Sequence, residues 1–313
     1  MVCGARCSSQ TRCPLFTVLP CVTDGASCQA IRVHLSLCVC LLKQKGLLGM
    51  LLILALLALT SSCQGQRWKR VSGELVYVSV GPAGVWGVNR HGDIYYREGT
   101  YRRPISQGFS WKKVEGRLKQ LDVGTDCVFG VNDHDEIYYR SGISSGNPAG
   151  TSWVQLPGSL KHISVSPSGA VWGVNSHNEI YFRTGTSPKT PTGSGWQRVA
   201  GSLKQISAGP SGVWGVNSED DIWYRDGTNG GKTTTGSRWT QVQGKLLQVT
   251  SGSNIVLGVN LNHEIYRRSG VSRNLWTGAG WTRVNGGLTM VDQYNRAIWG
   301  VNRVGEIWVS DSS

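Results

Sequence analysis

The stretch GVWGVNRHGDIYYREGT, residues 84–100, holds two short runs of β-branched and aromatic residues joined by a polar turn. That is strand and hairpin chemistry. Its Gly-Val-Asn triplet returns at 130–132, 173–175, 215–217, 258–260 and 300–302, a period of 42 or 43 residues. Working outward from the triplet, every period carries four segments in one order. They are W-x-x-[VL], as in Trp68–Val71; G-x-L-x-x-[VIL], as in Gly73–Val78; VWGVN or a variant; and I-[YW]-[YFRV]. Gly, Ser, Asn and Asp separate them, as turns require, and nothing after residue 66 sustains a helical period. The pattern predicts an all-β fold, a six-bladed β-propeller of four-stranded antiparallel blades.

Segment order also predicts how the ring closes. The repeats begin with a W-x-x-V segment at Trp68 and end just after the last I-W-V segment, Ile307–Val309. If each W-x-x-V strand is the outermost strand of the preceding blade, the sixth blade lacks one and Trp68–Val71 is left over. The N-terminal strand is therefore expected to join the last blade, removing two exposed sheet edges.

Twelve of the 13 tryptophans fall in register and are expected in the core between blades. Each would bury about 150–250 Å² there. The glycine after each buried aromatic is expected to let the neighbouring blade approach closely. Trp276 is off register, in the loop between Arg268 and Trp281, and is a candidate ligand or partner contact as well as a loop-packing residue; Phe109 and Tyr101 share that ambiguity.

Residues 47–59, LLGMLLILALLAL, are an apolar run with Lys43 and Lys45 before it and small residues after it. This is the layout of a secretory signal peptide, shorter than the roughly 17–25 residues of a membrane-spanning helix; a signal anchor is the alternative. The expected organisation is an N-terminal extension at 1–46, a signal region at 47–65 and the six-repeat propeller at 66–313, secreted and with no membrane span in the mature chain. Eight of nine cysteines precede residue 65. Cys127 reads as a small buried residue; exposed, it could link a homodimer.

Net charge is +13, and 27 of 32 basic against 18 of 19 acidic residues lie after residue 65, leaving +9 there. Such a surface favours anionic partners, with nucleic acid set aside for a secreted chain. No clustered nucleophile, base or metal set occurs, so no enzyme activity and no cofactor are expected. Gly142–Gly146 matches G-x-S-x-G without the helix or partners that chemistry needs. The histidines read as exposed turn residues.

Each repeat places an amide and, four residues on, an acid: Asn89 and Asp93, Asn132 and Glu136, Asn175 and Glu179, Asn217 and Asp221, Asn260 and Glu264, Asn302 and Glu306. They are either hairpin-turn makers or hydrogen-bonding groups for sugar hydroxyls beside an aromatic rim. Arg97, Arg140, Arg183, Arg225 and Arg268 close five repeats and Ser310 the sixth, which alone has no long loop behind it. The arginine is expected to pin that loop.

The linked W-x-x-V-x-G-x-L, VWGVN and IYYR elements over residues 68–309 resemble the tectonin repeats of lectins of the fish-egg and horseshoe-crab tachylectin type. The resemblance implies a secreted, non-catalytic propeller that binds N-acetylglucosamine-type glycans and bacterial lipopolysaccharide on microbial or egg surfaces. A protein-interaction scaffold is the rival reading.

Overall fold

The computed structural model describes residues 66–187 and 189–311; the apolar run at 47–59, the expected signal region at 47–65 and the eight early cysteines lie outside them. β1 (Lys69–Glu74) precedes the first blade, which is β2 (Tyr77–Gly81), β3 (Gly84–Val88), β4 (Asp93–Arg97) and β5 (Trp111–Arg117). The second blade is β6 (Gln120–Val123), β7 (Val128–Val131), β8 (Glu136–Ser141) and β9 (Ser152–Ser159). The third is β10 (His162–Val165), β11 (Val171–Val174), β12 (Glu179–Thr184) and β13 (Gly195–Ser202). The fourth is β14 (Gln205–Gly209), β15 (Gly212–Val216), β16 (Asp221–Arg225) and β17 (Trp239–Lys245). The fifth is β18 (Gln248–Ser251), β19 (Val256–Val259), β20 (Glu264–Ser269) and β21 (Gly280–Gly287). β22 (Met290–Tyr294), β23 (Ala297–Val301) and β24 (Glu306–Asp311) make the sixth, completed on its outer edge by β1. Lys69 faces Val309 and Val71 faces Ile307 across that antiparallel seam, so the expected ring closure is what the chain does.

Aromatic residues hold the blades together in two belts. Trp86, Trp172, Trp214 and Trp299, with Phe129 in the second blade, are fully buried. The six tryptophans of the outer strands are only half-buried, which corrects the expectation that all twelve are core. Each instead donates its indole N–H to a carbonyl on the preceding outer strand: Trp111 to Ser72 at 2.7 Å, Trp153 to Glu115, Trp196 to Pro157, Trp239 to Ala200 and Trp281 to Gln243 at 2.8 Å. Trp68 completes the circle on Asn285 at 2.6 Å. The carbonyl is presented by a bulge whose glycine has φ of +96° to +124°, as at Gly116 and Gly201. A Cβ on Gly158 would come within 2.9 Å of the Trp196 Nε1, so this glycine lets the next blade's indole lie over the backbone.

The glycine of Gly-Val-Asn does a different job from the one expected. A Cβ on Gly258 would stand 2.5 Å from Leu246 Cδ1 and 2.6 Å from the Gln248 carbonyl. Leu75, Leu118, Leu160, Leu203, Leu246 and Leu288, each on the crossover into its own blade, fill the space left by that glycine. It makes room for a leucine of the same repeat, not for the neighbouring blade.

Each loop-side arginine donates from Nε to a loop carbonyl: Arg97 to Gln107 at 2.6 Å, Arg140 to Ala149 at 2.9 Å, and Arg183, Arg225 and Arg268 to Thr192, Thr235 and Thr277 at 2.7 Å. Each guanidinium also lies 5.0–5.3 Å over the ring of the next outer-strand tryptophan. The arginines pin the loops. In the sixth repeat Ser310 Oγ donates to the Arg67 carbonyl, a contact to the closing strand.

Candidate functional site

The Asn and acid of each repeat meet in the hairpin between the third and fourth segments. Asn132 Oδ1 accepts from the His134 and Glu136 amides at 3.0 and 2.9 Å, and its Nδ2 donates to Glu136 Oε2 at 2.6 Å. The same three bonds recur for Asn89 with Asp93, Asn175 with Glu179, Asn217 with Asp221, Asn260 with Glu264 and Asn302 with Glu306. Two acceptor bonds saturate the amide oxygen, leaving one N–H to spare. The Asn is the turn maker.

The acid faces outward from that turn toward the outer strand. Lys113 reaches Asp93 at 3.0 Å, Arg198 Glu179 at 2.8 Å, Lys245 Asp221 at 2.7 Å, Arg283 Glu264 at 3.1 Å and Arg70 Glu306 at 2.9 Å. Gln155 takes the place of the cation at Glu136. The Lys113 bond and then Asn89 hold the Asp93 carboxyl below its ordinary range, and the Asn132 bond, then Tyr138, do so for Glu136. Tyr138, Tyr181 and Tyr266 donate to Glu136, Glu179 and Glu264 at 3.0–3.1 Å.

A cleft opens between blades beside this pair. Between the first and second blades it has a volume of about 260 Å³ and is lined by Ile94, Gly116, Arg117, Leu118, Asn132, Tyr138 and Trp153. One wall is thus an indole and a phenol, the rim the Asn132 amide and Arg117, and the floor the bulged backbone of the preceding blade at Gly116. Its chemistry suits a small ring with hydroxyls on its edge and C–H groups on its face. The Asn and acid positions come together as read from sequence, within each repeat. Trp153 and Tyr138 were not anticipated as cleft residues. The signal was in the strand period: an acid and an aromatic two residues apart, as Glu136 and Tyr138 are, share one face of a strand.

Other sequence candidates fall elsewhere. Trp276 is half-buried and packs on the cluster containing Trp214 and Val271. Phe109 is 74% exposed, while the Tyr101 hydroxyl donates to Asp126 at 2.6 Å. His91, His134 and His177 are exposed at turns, but His162 is not a turn residue. It lies on β10, edge-on to Tyr77 at 6.4 Å, and burial pushes its pKa down to about 3. Cys127 is a free, buried thiol.

A further polar ring surrounds the axis. Ser79 Oγ stands 2.8 Å from both Asp122 Oδ1 and Asp292 Oδ2 and also accepts from the Val123 amide. One hydroxyl proton serves one carboxylate, so the other carboxyl donates to Ser79 in protonated form. Desolvation, then repulsion from the like charge of Asp292, raises Asp122 well above the carboxylate range, and desolvation raises Asp292 as well. Among the described residues no group of three or more His, Cys, Asp or Glu could hold a metal ion, and no helix is long and apolar enough to cross a membrane.

A tectonin-domain family model matches residues 57–159 and 104–303, most of the propeller. The chain belongs to the tectonin family. Over 52 residues, 16% of this chain, it is 52% identical to the perivitellin-2 31 kDa subunit of Pomacea maculata; that match spans 18% of the snail subunit's length. Among solved structures it is similar to the Cps50 (Swd1) β-propeller domain of Myceliophteria thermophila (9% identity, TM-score 0.48, covering 78% of this chain and 86% of that one). It is also similar to YCF48 of Cyanidioschyzon merolae (14% identity, TM-score 0.46, covering 79% and 83%).

Proposed function

We propose that this tectonin protein is a secreted, non-catalytic lectin whose interblade clefts each take one sugar unit of N-acetylglucosamine type, on microbial glycans including lipopolysaccharide or on egg surfaces, in defence or egg protection. The observation that carries this is the cleft at Trp153, Tyr138 and Asn132, sized for a single ring and walled by aromatic and amide groups. Its side chains recur around the ring as Trp111 with Tyr95, Trp196 with Tyr181, Trp239 with Trp223, Trp281 with Tyr266 and Trp68 with Trp308. Several shallow sites engaged at once raise apparent affinity by about 10² to 10⁴ where spacing matches, which gives the repetition a binding purpose. Secretion rests on the apolar run at 47–59.

A glycan array followed by calorimetry with free N-acetylglucosamine tests this. Weak binding at more than one site per chain is expected, with Tyr138→Ala removing one site and leaving the fold intact. Retention of no glycan, with capture of a stoichiometric protein partner instead, would replace the lectin by an interaction scaffold.

A further inference from the structure

The six repeats are not equal at the turns that follow Gly-Val-Asn. In the second, third and fourth blades a crossover lysine folds onto the turn of its own blade: Lys119 on Asp135, Lys161 on Asn178 and Lys204 on Asp220. In the first blade the lysine position is Val76 and the turn position Gly92, with φ of +77°; the sixth-blade turn is also a glycine, Gly305, at +86°. No side chain bridges there. A groove of about 570 Å³ is left between the first and sixth blades, over Leu75, Val76, Asn89 and Val304, with Arg90 and Arg303 on its rim.

The groove joins the seam's own sugar cleft. Leu75 and Asn89 are the first-blade counterparts of Leu118 and Asn132, which line the cleft between the first and second blades. Arg90 is steadied by Glu74 at 2.8 Å, whereas the guanidinium of Arg303 makes no ion pair or hydrogen bond with any described residue. Val76 and Val304 are 49% and 69% exposed, so a ligand reaching along the groove meets apolar contact before it meets the two cations.

We infer that the seam cleft, alone of the six, is specific for a sugar bearing an anionic substituent, phosphate or carboxylate, with the ring in the cleft and the anion between Arg90 and Arg303. This rests on the lectin reading above. Two exposed guanidinium contacts favour the charged sugar by about five- to tenfold at low ionic strength, a preference that salt screens away.

Calorimetry with N-acetylglucosamine, its 6-phosphate and its 6-carboxylate analogue, and inorganic phosphate alone, tests it on the full chain. The anionic sugars should show one tighter site per chain than the neutral sugar, lost in Arg303→Ser and in Val304→Glu, both exposed positions. Neutral-sugar binding at sites away from the seam should be unchanged in both variants. Neutral binding without any tighter anionic site, or a tighter site that survives both substitutions, overturns the inference and leaves the lectin reading standing. Inorganic phosphate binding as tightly as the sugar phosphate also overturns it, because the ring then contributes nothing. If the anionic sugars bind at one Arg303-dependent site and neutral sugar binds nowhere, the seam stands and the six-cleft lectin falls; if neither binds, both fall.

Discussion

Replacing Arg268 with Met is expected to release the loop of residues 269–280 while leaving the blade in place. Arg268 is 7% exposed, donates from Nε to the Thr277 carbonyl at 2.7 Å and from Nη2 to that of Gly278 at 3.3 Å, and lies 5.3 Å over Trp281. The short charged bond is worth about 1.5–3 kcal/mol and the stacking about 0.5–1 kcal/mol. Against this, desolvation already lowers the arginine's pKa, and an apolar replacement removes that burial cost, offsetting about 1 kcal/mol. Met keeps the aliphatic contact on the indole. The net loss is about 2 kcal/mol, a fall in melting temperature of roughly 4–8 °C for a domain of this size. Scanning calorimetry measures the fall, and amide hydrogen exchange should rise in 269–280 but not in β18 or β19. A melting change under about 1 °C with unchanged loop exchange would show that the loop is held by its own turns and Trp276, and the reasoning would be wrong for all five arginines.

Two further outcomes follow from packing and from the axial carboxyls. Gly130→Ala sets a Cβ against Leu118 Cδ1 and should cost about 1–3 kcal/mol by overpacking. In a Leu118→Ala background the same change should cost little, so urea denaturation of the double-mutant cycle should be strongly non-additive; additive costs would place the leucine elsewhere. Asp122 and Asp292 have folded pKa values raised above the unfolded one. Their protonated form therefore favours the folded state fully below the ordinary carboxylate range, and that stability is lost as pH rises toward neutrality through the folded values. Asp122→Asn should flatten the decline of melting temperature over that interval and raise stability at its alkaline end; a mutant as steep as the parent would mean the pair does not share a proton.

Blade number, strand order and closure were legible because each is a one-dimensional property: a period of 42 or 43 residues, a segment order and a leftover first strand. What lay beyond the sequence was direction. Trp153 and Trp172 look alike in a string, yet one lies half-exposed over the Gly116 bulge and the other is sealed between sheets. Their difference is set by the left-handed bulge at Gly116, which lets the outer-strand indole lie over the preceding blade's backbone instead of between sheets. His162 was misread for a related reason. It follows the polar Lys161, but β10 is the innermost strand of the third blade, where the ring meets Tyr77 of the innermost strand of the first.

The same reasoning separates scaffold from site among the copied residues. Asn132 and its counterparts spend both acceptor sites and one N–H inside their own turns, so their repetition is accounted for by folding alone. Tyr138 is tied to that turn through Glu136, Trp153 is held by the Glu115 carbonyl and Arg140, and both line the cleft beside Asn132. Duplication preserves the turn and the cleft together, which is why counting copies could not divide them. Divergence can: the lysine that covers three turns is replaced by Val76, Leu247 and Thr289 in the first, fifth and sixth blades, so its loss does not single out the seam, but the residue after Gly-Val-Asn does. Only the two repeats that meet at the seam carry arginine there, Arg90 and Arg303, where the others have Asp133, Ser176, Ser218 and Leu261, and the guanidinium of Arg303 makes no ion pair or hydrogen bond with any described residue.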